Sequence, residues 1–254
     1  MKINQISKTE FYHLVYNEEV DFLRRIHSPE IFVVKNFYNS LEIKEIRNAA
    51  FNWGEQTETS WHPLIDGCPD YHRLHDNYFK AHVKQKFHGF YYHGYFAKNE
   101  YLFNYFKEIF DFKCHLGKFT LGSFANYIPS SGVVARVNLH HYARGGGYQA
   151  EHIDPAGPFA IVQTLIIASK KGADYNFGGV FARTELGTEK IYLDNFVDIG
   201  DLLILSPAIP HGVDPIDPEN IYCSENNDGR WIILPLFLHS DSPNVESIKP
   251  YQIS

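Results

Sequence analysis

Three side chains in the second half of the sequence have the types and spacing of a metal site. They are His152 and Asp154 in Glu-His-Ile-Asp, and His211 in Leu-Ser-Pro-Ala-Ile-Pro-His. On a strand, residues i and i+2 share a face, so His152 and Asp154 would present an imidazole and a carboxylate side by side. Alone, such a pair is more often an ordinary hydrogen-bonded pair than a ligand set. His211 changes the weight. The apolar run Leu202 to Leu205 leads into a proline-bounded turn that ends on it, which is how a rigid strand delivers a third ligand from far along the chain. Two imidazoles and one carboxylate on one face of a metal leave three positions open. That facial set suits an iron(II) site that must also take up O2 and an organic ligand. A structural zinc site would close its fourth position with protein.

Arg230 follows His211 by nineteen residues and opens the run Arg-Trp-Ile-Ile-Leu-Pro-Leu-Phe-Leu. An arginine at the mouth of an apolar strand must meet an anion or reach water, and a guanidinium grips a carboxylate as a two-pronged fork. For that residue alone, a surface arginine at a strand start is the plainer reading. Tyr142 precedes His152 by ten residues, across the turn Gly145-Gly146-Gly147. It shares strand parity with Arg136, Asn138 and His140, while Val137, Leu139 and His141 take the other parity. One polar and one mostly apolar face suits a strand that lines a pocket or one that faces solvent. Gln163 and Thr164 lie on the strand after the His-x-Asp turn, and one of them should face the pocket.

These residues need a scaffold. Residues 1–28 read as short polar helices and Ile31 to Val34 as a strand. Asn39 or Ser40 caps a helix over Leu-Glu-Ile-Lys-Glu-Ile-Arg-Asn-Ala-Ala-Phe-Asn-Trp, with Gly54 placed to end it. Residues 55–80 lack periodicity and read as a long loop that carries Trp61-His62, Tyr71-His72-Arg73 and His75-Asp76. Tyr101 to Phe112 returns to helical spacing. Beyond residue 118, strand-like runs at 119–127, 133–142, 148–154, 159–168, 178–182, 190–193, 201–205 and 230–238 are separated by Gly, Pro and Asp. Eight short strands with no helix between them argue for a sandwich or barrel. The expected class is mainly β with flanking helices (α+β). A jelly-roll core over 119–240 sits under a helical N-terminal layer over 1–118, with a tail at 241–254, in one domain.

Composition bounds the setting. The chain has 254 residues, 44% of them hydrophobic, enough for a sizeable core. A formal net charge of −7 without a concentrated basic stretch argues against a nucleic-acid partner. Cys68, Cys114 and Cys223 form no Cys-x-x-Cys pair, which points to free thiols in a reducing compartment. The first residues lack the apolar run of a signal peptide, and the longest apolar runs are too short to span a bilayer. The expectation is a cytoplasmic protein without a membrane partner; its oligomeric state is open. No His-Glu-x-x-His, P-loop, Gly-x-Ser-x-Gly or Gly-x-Gly-x-x-Gly motif occurs.

The ordered set Tyr142, His152-x-Asp154, Gly178-Gly179, His211 and Arg230 resembles the iron(II)- and 2-oxoglutarate-dependent dioxygenases, above all their prolyl-hydroxylase-like members. The likeness spans about residues 133–238. It implies a double-stranded β-helix, a distorted jelly roll related to the cupins. It also implies that His152, Asp154 and His211 bind Fe(II), that Arg230 holds the far carboxylate of 2-oxoglutarate, and that Tyr142 donates a hydrogen bond to the same cosubstrate. Asn138 and Thr164 would be further cosubstrate contacts, and Gly178-Gly179 would mark a loop-to-strand turn near the site. The interval from His211 to Arg230 is longer than members usually show, and residues 214–229 read as an inserted loop. The implied reaction consumes O2 and 2-oxoglutarate, releases succinate and CO2, and hydroxylates a polar small molecule. The presence of Asp154 favours hydroxylation, desaturation or ring formation over halogenation. A protein or peptide hydroxylase, or a non-catalytic binding or sensing module on the same barrel, are the alternatives. Candidate substrate contacts are His72, Arg73, His75, Arg136, His140 and Gln163, while His88, His93 and His115 read as structural.

Overall fold

The computed structural model describes residues 1–77, 81, 83–120, 122, 124–185 and 187–243. The chain opens with β1 (Lys2–Ile6), α1 (Lys8–Asn17) and α2 (Glu19–His27), then β2 (Glu30–Val34) and α3 (Ser40–Glu55). An antiparallel pair, β3 (Tyr71–Asp76) and β4 (Gln85–His93), precedes α4 (Glu100–Tyr105) and α5 (Lys107–Gly117). Short 3-10 turns aside, strands follow: β5 (Val133–Ala143), β6 (Gly147–His152), β7 (Gln163–Ile167), β8 (Gly179–Ala182), β9 (Ile191–Tyr192), β10 (Leu202–Leu205), β11 (His211–Ile216) and β12 (Gly229–His239).

The strands form one ladder in the order β1-β2-β10-β7-β12-β5-β4-β6-β11-β8-β9, with β3 on the other side of β4. At the short β4–β6 junction, where only Gln85 and Lys86 pair across, the ladder folds over on itself. Strict alternation then sorts side chains to two cores. Phe32, Val34, Leu202, Ile204, Ile166, Trp231 and Ile233 pack under the helices, against Phe11, Phe22, Ile43, Phe106 and Phe112. Their neighbours Ile31, Val33, Leu203, Leu205, Leu165, Ile167 and Ile232 point into the jelly roll, against Val180 and Val213 of the opposing strands. Both faces of the central strands are covered, which is why β10 and β12 read as nearly continuous apolar runs.

The helices start as expected and end differently. Asn39 caps α3 by accepting the backbone N–H groups of Leu41 and Glu42. Gly54 does not end α3, which runs one residue further. Instead, its missing side chain admits the Phe90 ring, which a Cβ would approach to 2.7 Å. Residues 1–28 are not all helical: β1 pairs parallel with β2, from Lys2 opposite Glu30 to Ile6 opposite Val34. A polar edge strand held by backbone bonds leaves little apolar pattern to read. Tyr71–Asp76, expected within a loop, is a strand for a similar reason: its Arg73 and His75 face a polar recess rather than a core. The expected strand at 119–127 is absent among the described residues. A 3-10 turn at Phe124–Asn126 stands there, and Phe124 stacks on Phe110 at 4.6 Å to cover the helical core. Residues 121 and 123 of that run, 78–80 of the loop and 244–254 of the tail lie outside the described residues. β11 was not anticipated, because Asp214 and Pro215 interrupt its run; the presumed insertion starts only after Ile216. The three cysteines are unpaired, and among the described residues no helix is long and apolar enough to cross a membrane.

Two buried histidines beneath the helices tie stability to pH. His141 stacks on Trp231 at 4.3 Å and bonds the Asp228 carbonyl at 2.8 Å, while His88 stacks on Phe90 at 4.1 Å. Burial lowers both, His88 to about 3 with help from His72, and His141 to about 4. Both rings are neutral in the fold, whereas an unfolded chain protonates them near the ordinary histidine value of about 6.5. The unfolded state therefore takes up protons first on acidification, and stability is lost as pH falls from about 6.5 toward 4. Thermal melts between pH 7 and pH 5 are expected to show a falling Tm, with a shallower fall in His141→Gln. An equal slope in the two proteins would refute the assignment.

Candidate metal centre and its cavity

β6 and β11 run antiparallel with His211 directly opposite His152. Cross-strand partners sit about 5 Å apart, and the two imidazole centroids are 4.5 Å apart. β6 ends at His152, so Asp154 is delivered by the chain just beyond it, its N–H bonded to the Pro207 carbonyl at 3.0 Å. That bond ties the His-x-Asp segment to the turn that carries His211. One oxygen of Asp154 lies 3.2 Å from His211 Nε2, and the other lies 3.5 Å from His152 Nε2. The three ligating atoms are within 4.8 Å of one another.

The ring orientations are set from behind. His152 Nδ1 meets the Ala150 carbonyl at 2.9 Å, and His211 Nδ1 meets the Ile209 carbonyl at 2.8 Å. A carbonyl can only accept, so each Nδ1 carries a proton, and each Nε2, which faces Asp154, would give up its own proton to offer a lone pair to a metal. Ligand atoms about 2.1 Å from a metal and at right angles to one another are about 3 Å apart, close to the spacing found. Burial would raise the Asp154 carboxyl, but hydrogen bonds from His152 and His211 outweigh it and hold the group below the usual carboxylate range. Burial acts against protonation of His152, and the bond to Asp154 reverses the sign and raises it. Both shifts describe a spot that favours positive charge. The donor set thus fits a divalent cation with open positions.

The triad opens onto a cavity of about 670 Å³. Pro155, Phe159, Leu165, Val180, Ile232, Leu234 and Phe237 make most of its wall apolar, and Asn138, His140, Tyr142, Gln149, Gln163 and Lys113 supply the polar groups. The expected parity of β5 holds: Asn138, His140 and Tyr142 all face this cavity, and Asn138 accepts a 2.7 Å bond from Arg136 Nε. Of the Gln163–Thr164 pair, Gln163 faces inward. Thr164 is corrected as a cosubstrate contact, because it shares the outward face with Ile166 and is buried under the helices. A second recess, of about 390 Å³, shares Leu238 and His239 with the first and holds Arg73, His75 and Arg136. His72 lines neither. It is buried between His88, at 2.7 Å, and the Thr57 carbonyl, at 3.1 Å. His88 and His93 are buried as expected of structural residues, and His115 pairs with Glu19 at 2.8 Å.

Arg230 departs from expectation. It stands behind Tyr142, outside the cavity wall, and its fork is already engaged. Nε donates to Asp194 Oδ2 at 2.8 Å and Nη2 to Oδ1 at 3.0 Å. Asp194 also accepts from the Tyr175 hydroxyl at 2.6 Å and the Val180 N–H at 2.8 Å. A Cβ at Gly179 would reach 2.2 Å from that carboxylate, so Gly179, which opens β8 at φ +115°, makes the room for it. Burial would lower the guanidinium's proton affinity, and Asp194 raises it above its ordinary value. One nitrogen, Nη1, is buried without a hydrogen-bond partner. The Tyr142 hydroxyl donates to Gln149 at 2.9 Å, and burial raises the phenol so that it keeps its proton. A protonated phenol on the cavity wall, backed by a guanidinium with one nitrogen to spare, fits an anionic group on the cavity side.

Sequence reasoning passed over Asp194, Gln149 and Lys113. Lys113 had a signal: it takes the i+4 place in Ile109, Lys113, Leu116, on the apolar stripe of α5, where a lysine is out of pattern. Asp194 had none, since an aspartate in a loop is ordinary.

No protein-family model matches the chain, and no curated protein matches it in sequence. Solved structures match it in shape. A prolyl-4-hydroxylase from Pseudomonas putida has a TM-score of 0.50 at 10% identity, over 85% of this chain and 95% of that one. A Neurospora crassa protein crystallised with alpha-KG and thymine has a TM-score of 0.53 at 9% identity, over 98% and 92%. A 2OG-Fe(II) oxygenase family protein from Caulobacter crescentus has a TM-score of 0.53 at 14% identity, over 94% and 87%.

Breaking a buried ion pair by removing one partner costs about 3–5 kcal/mol, because the other charge is left uncompensated. Asp194→Asn is expected to lose stability of that order in chemical denaturation, and Asp194→Asn with Arg230→Met to recover part of it. Additive losses in the double variant would contradict the pairing. With the twelve strands of the described residues folded into a jelly roll under a helical layer, the chain has the double-stranded β-helix fold of the 2OG-Fe(II) oxygenases.

Proposed function

We propose that the chain is an iron(II)- and 2-oxoglutarate-dependent oxygenase acting on a small organic molecule. The observation that carries this reading is the convergence of His152, Asp154 and His211, each imidazole pinned through Nδ1, at the wall of a largely apolar cavity. The fold it shares with 2OG-Fe(II) oxygenases supports the same reading, and the thymine held by the Neurospora protein is a small molecule. In this proposal His152, Asp154 and His211 hold the metal, leaving three positions for other ligands. With 2-oxoglutarate, it supplies oxidation of a substrate C–H bond by O2, coupled to decarboxylation of the oxo acid to succinate.

The chain's own residues do the rest. Tyr142, which lines the cavity, would receive the far carboxylate of the cosubstrate, with the charged Arg230 behind it. Asp194 keeps Arg230 charged and in place there. The wall of Leu165, Val180, Ile232 and Leu234 excludes water from the reacting centre. The recess that joins the cavity at Leu238 and His239 favours a second reading, in which an extended peptide is the substrate. Stimulation of succinate release by peptides and not by small molecules would select it.

Anaerobic addition of iron(II) and then 2-oxoglutarate is expected to produce a weak visible charge-transfer band that needs both components and is lost in His211→Ala. Iron binding without that band would rule the proposal out. Tyr142→Phe is expected to keep iron affinity and weaken 2-oxoglutarate by about tenfold, the worth of one hydrogen bond of about 1.4 kcal/mol. Unchanged affinity on titration of the band would remove Tyr142 from the cosubstrate site.

A further inference from the structure

We propose that Lys113 anchors a carboxylate of the primary substrate, so that the enzyme acts on an organic acid with an apolar body. This rests on the oxygenase reading, which takes the triad as the place of reaction.

Lys113 is the only buried lysine among the described residues, with 4% of its surface exposed. It projects from α5 into the cavity that holds the triad. No hydrogen-bond acceptor or ion-pair partner reaches its ammonium among the described residues. The charge that acts on it is that of Asp154, a group already committed to the metal site. Buried charges are normally paired, and other charges buried in this protein are: Arg230 has Asp194, and Arg47 has Asp174 at 3.0 Å. Desolvation lowers Lys113 to about 8, so the ammonium form still dominates near neutral pH. An ammonium that lines a largely apolar chamber with no acceptor in reach among the described residues is suited to pair with an anion there.

Its position separates it from the cosubstrate end. Phe110, one turn before Lys113 on α5, meets Phe237 at 5.4 Å, and Phe159 meets Phe237 at 4.9 Å. Phe237 is seven residues along β12 from Arg230, roughly 23 Å of extended strand. Among the described residues Lys113 is the only lysine or arginine that lines the cavity, and Arg230 stands behind Tyr142, outside its wall. One ammonium balances one negative charge, which suits a carboxylate better than a phosphate dianion. The apolar wall between Phe159, Leu234 and Phe237 would take the rest of the molecule.

The test uses protein loaded anaerobically with iron(II) and 2-oxoglutarate, with labelled lysine side chains followed by NMR. The Lys113 signal is assigned by its loss in Lys113→Met. The probes are phenylacetate and the straight-chain monocarboxylates from butyrate to decanoate, each matched with its primary amide. Acids are expected to move the Lys113 signal and to bind at least tenfold more tightly than their amides. In Lys113→Met, acid and amide should bind equally and Tm should rise, because an unpaired charge has gone. Lys113→Arg should keep the preference for acids. The proposal is overturned if amides match acids, if no acid moves the signal, or if Lys113→Met keeps the preference or lowers Tm. The charge-transfer band is recorded in the same samples, and the titration is repeated without metal. Acid selectivity without a band would uphold Lys113 and sink the oxygenase reading, and a band without acid selectivity would do the reverse.

Discussion

The pairing of β6 with β11, with His211 opposite His152, is the constraint on which the site depends. Side chains in a ladder alternate in face with a period of two, so a slip of one residue would put Gly212 opposite His152 and turn His211 away. The ladder shifts register between His211 and Val213 and again before Ile216. Irregularities of this kind re-aim side chains beside functional sites. The Asp154–Pro207 backbone bond completes the arrangement by holding the third ligand to the turn that bears the second.

A second layer of order is electrostatic. Asp194 gathers a guanidinium, a phenol and a backbone N–H into one buried, fully hydrogen-bonded carboxylate. Such a group is expensive to desolvate and becomes tolerable only because every oxygen lone pair of consequence is met. It fixes the position of Arg230 and leaves one nitrogen over. Lys113 is the opposite case, a cation brought out of water with nothing opposite it. The two cases differ in whether burial brought a partner along with the charge.

The N-terminal half of the chain is more than a cover. β1 and β2 extend the ladder beyond β10, and β4 joins β5 to β6 with β3 paired along it, so the region shapes both the sheet and the outer recess. α5 contributes directly to the cavity through Lys113. Trp231, Phe90, His88 and His141 stack between the helices and the sheet, joining the two layers through aromatic faces.

Residue type and spacing pointed to the cluster of His152, Asp154 and His211, the strand parity of Asn138, His140 and Tyr142, and the jelly-roll class, because side-chain chemistry and local alternation are displayed directly by a sequence. Apolar strands such as β10 and β12 were legible for the same reason. Polar strands were not: β1, β3 and β11 are defined by backbone bonds to partners, and their side chains carry no alternating apolar signal. Nor could the sequence say that Arg230 would spend its fork on Asp194, that Thr164 would face the helices, or that His72 would be walled in by His88. Those outcomes follow from which chain segments meet across the fold. A charge or a hydroxyl takes its role from the partner that burial brings to it, and only the tertiary structure supplies that partner.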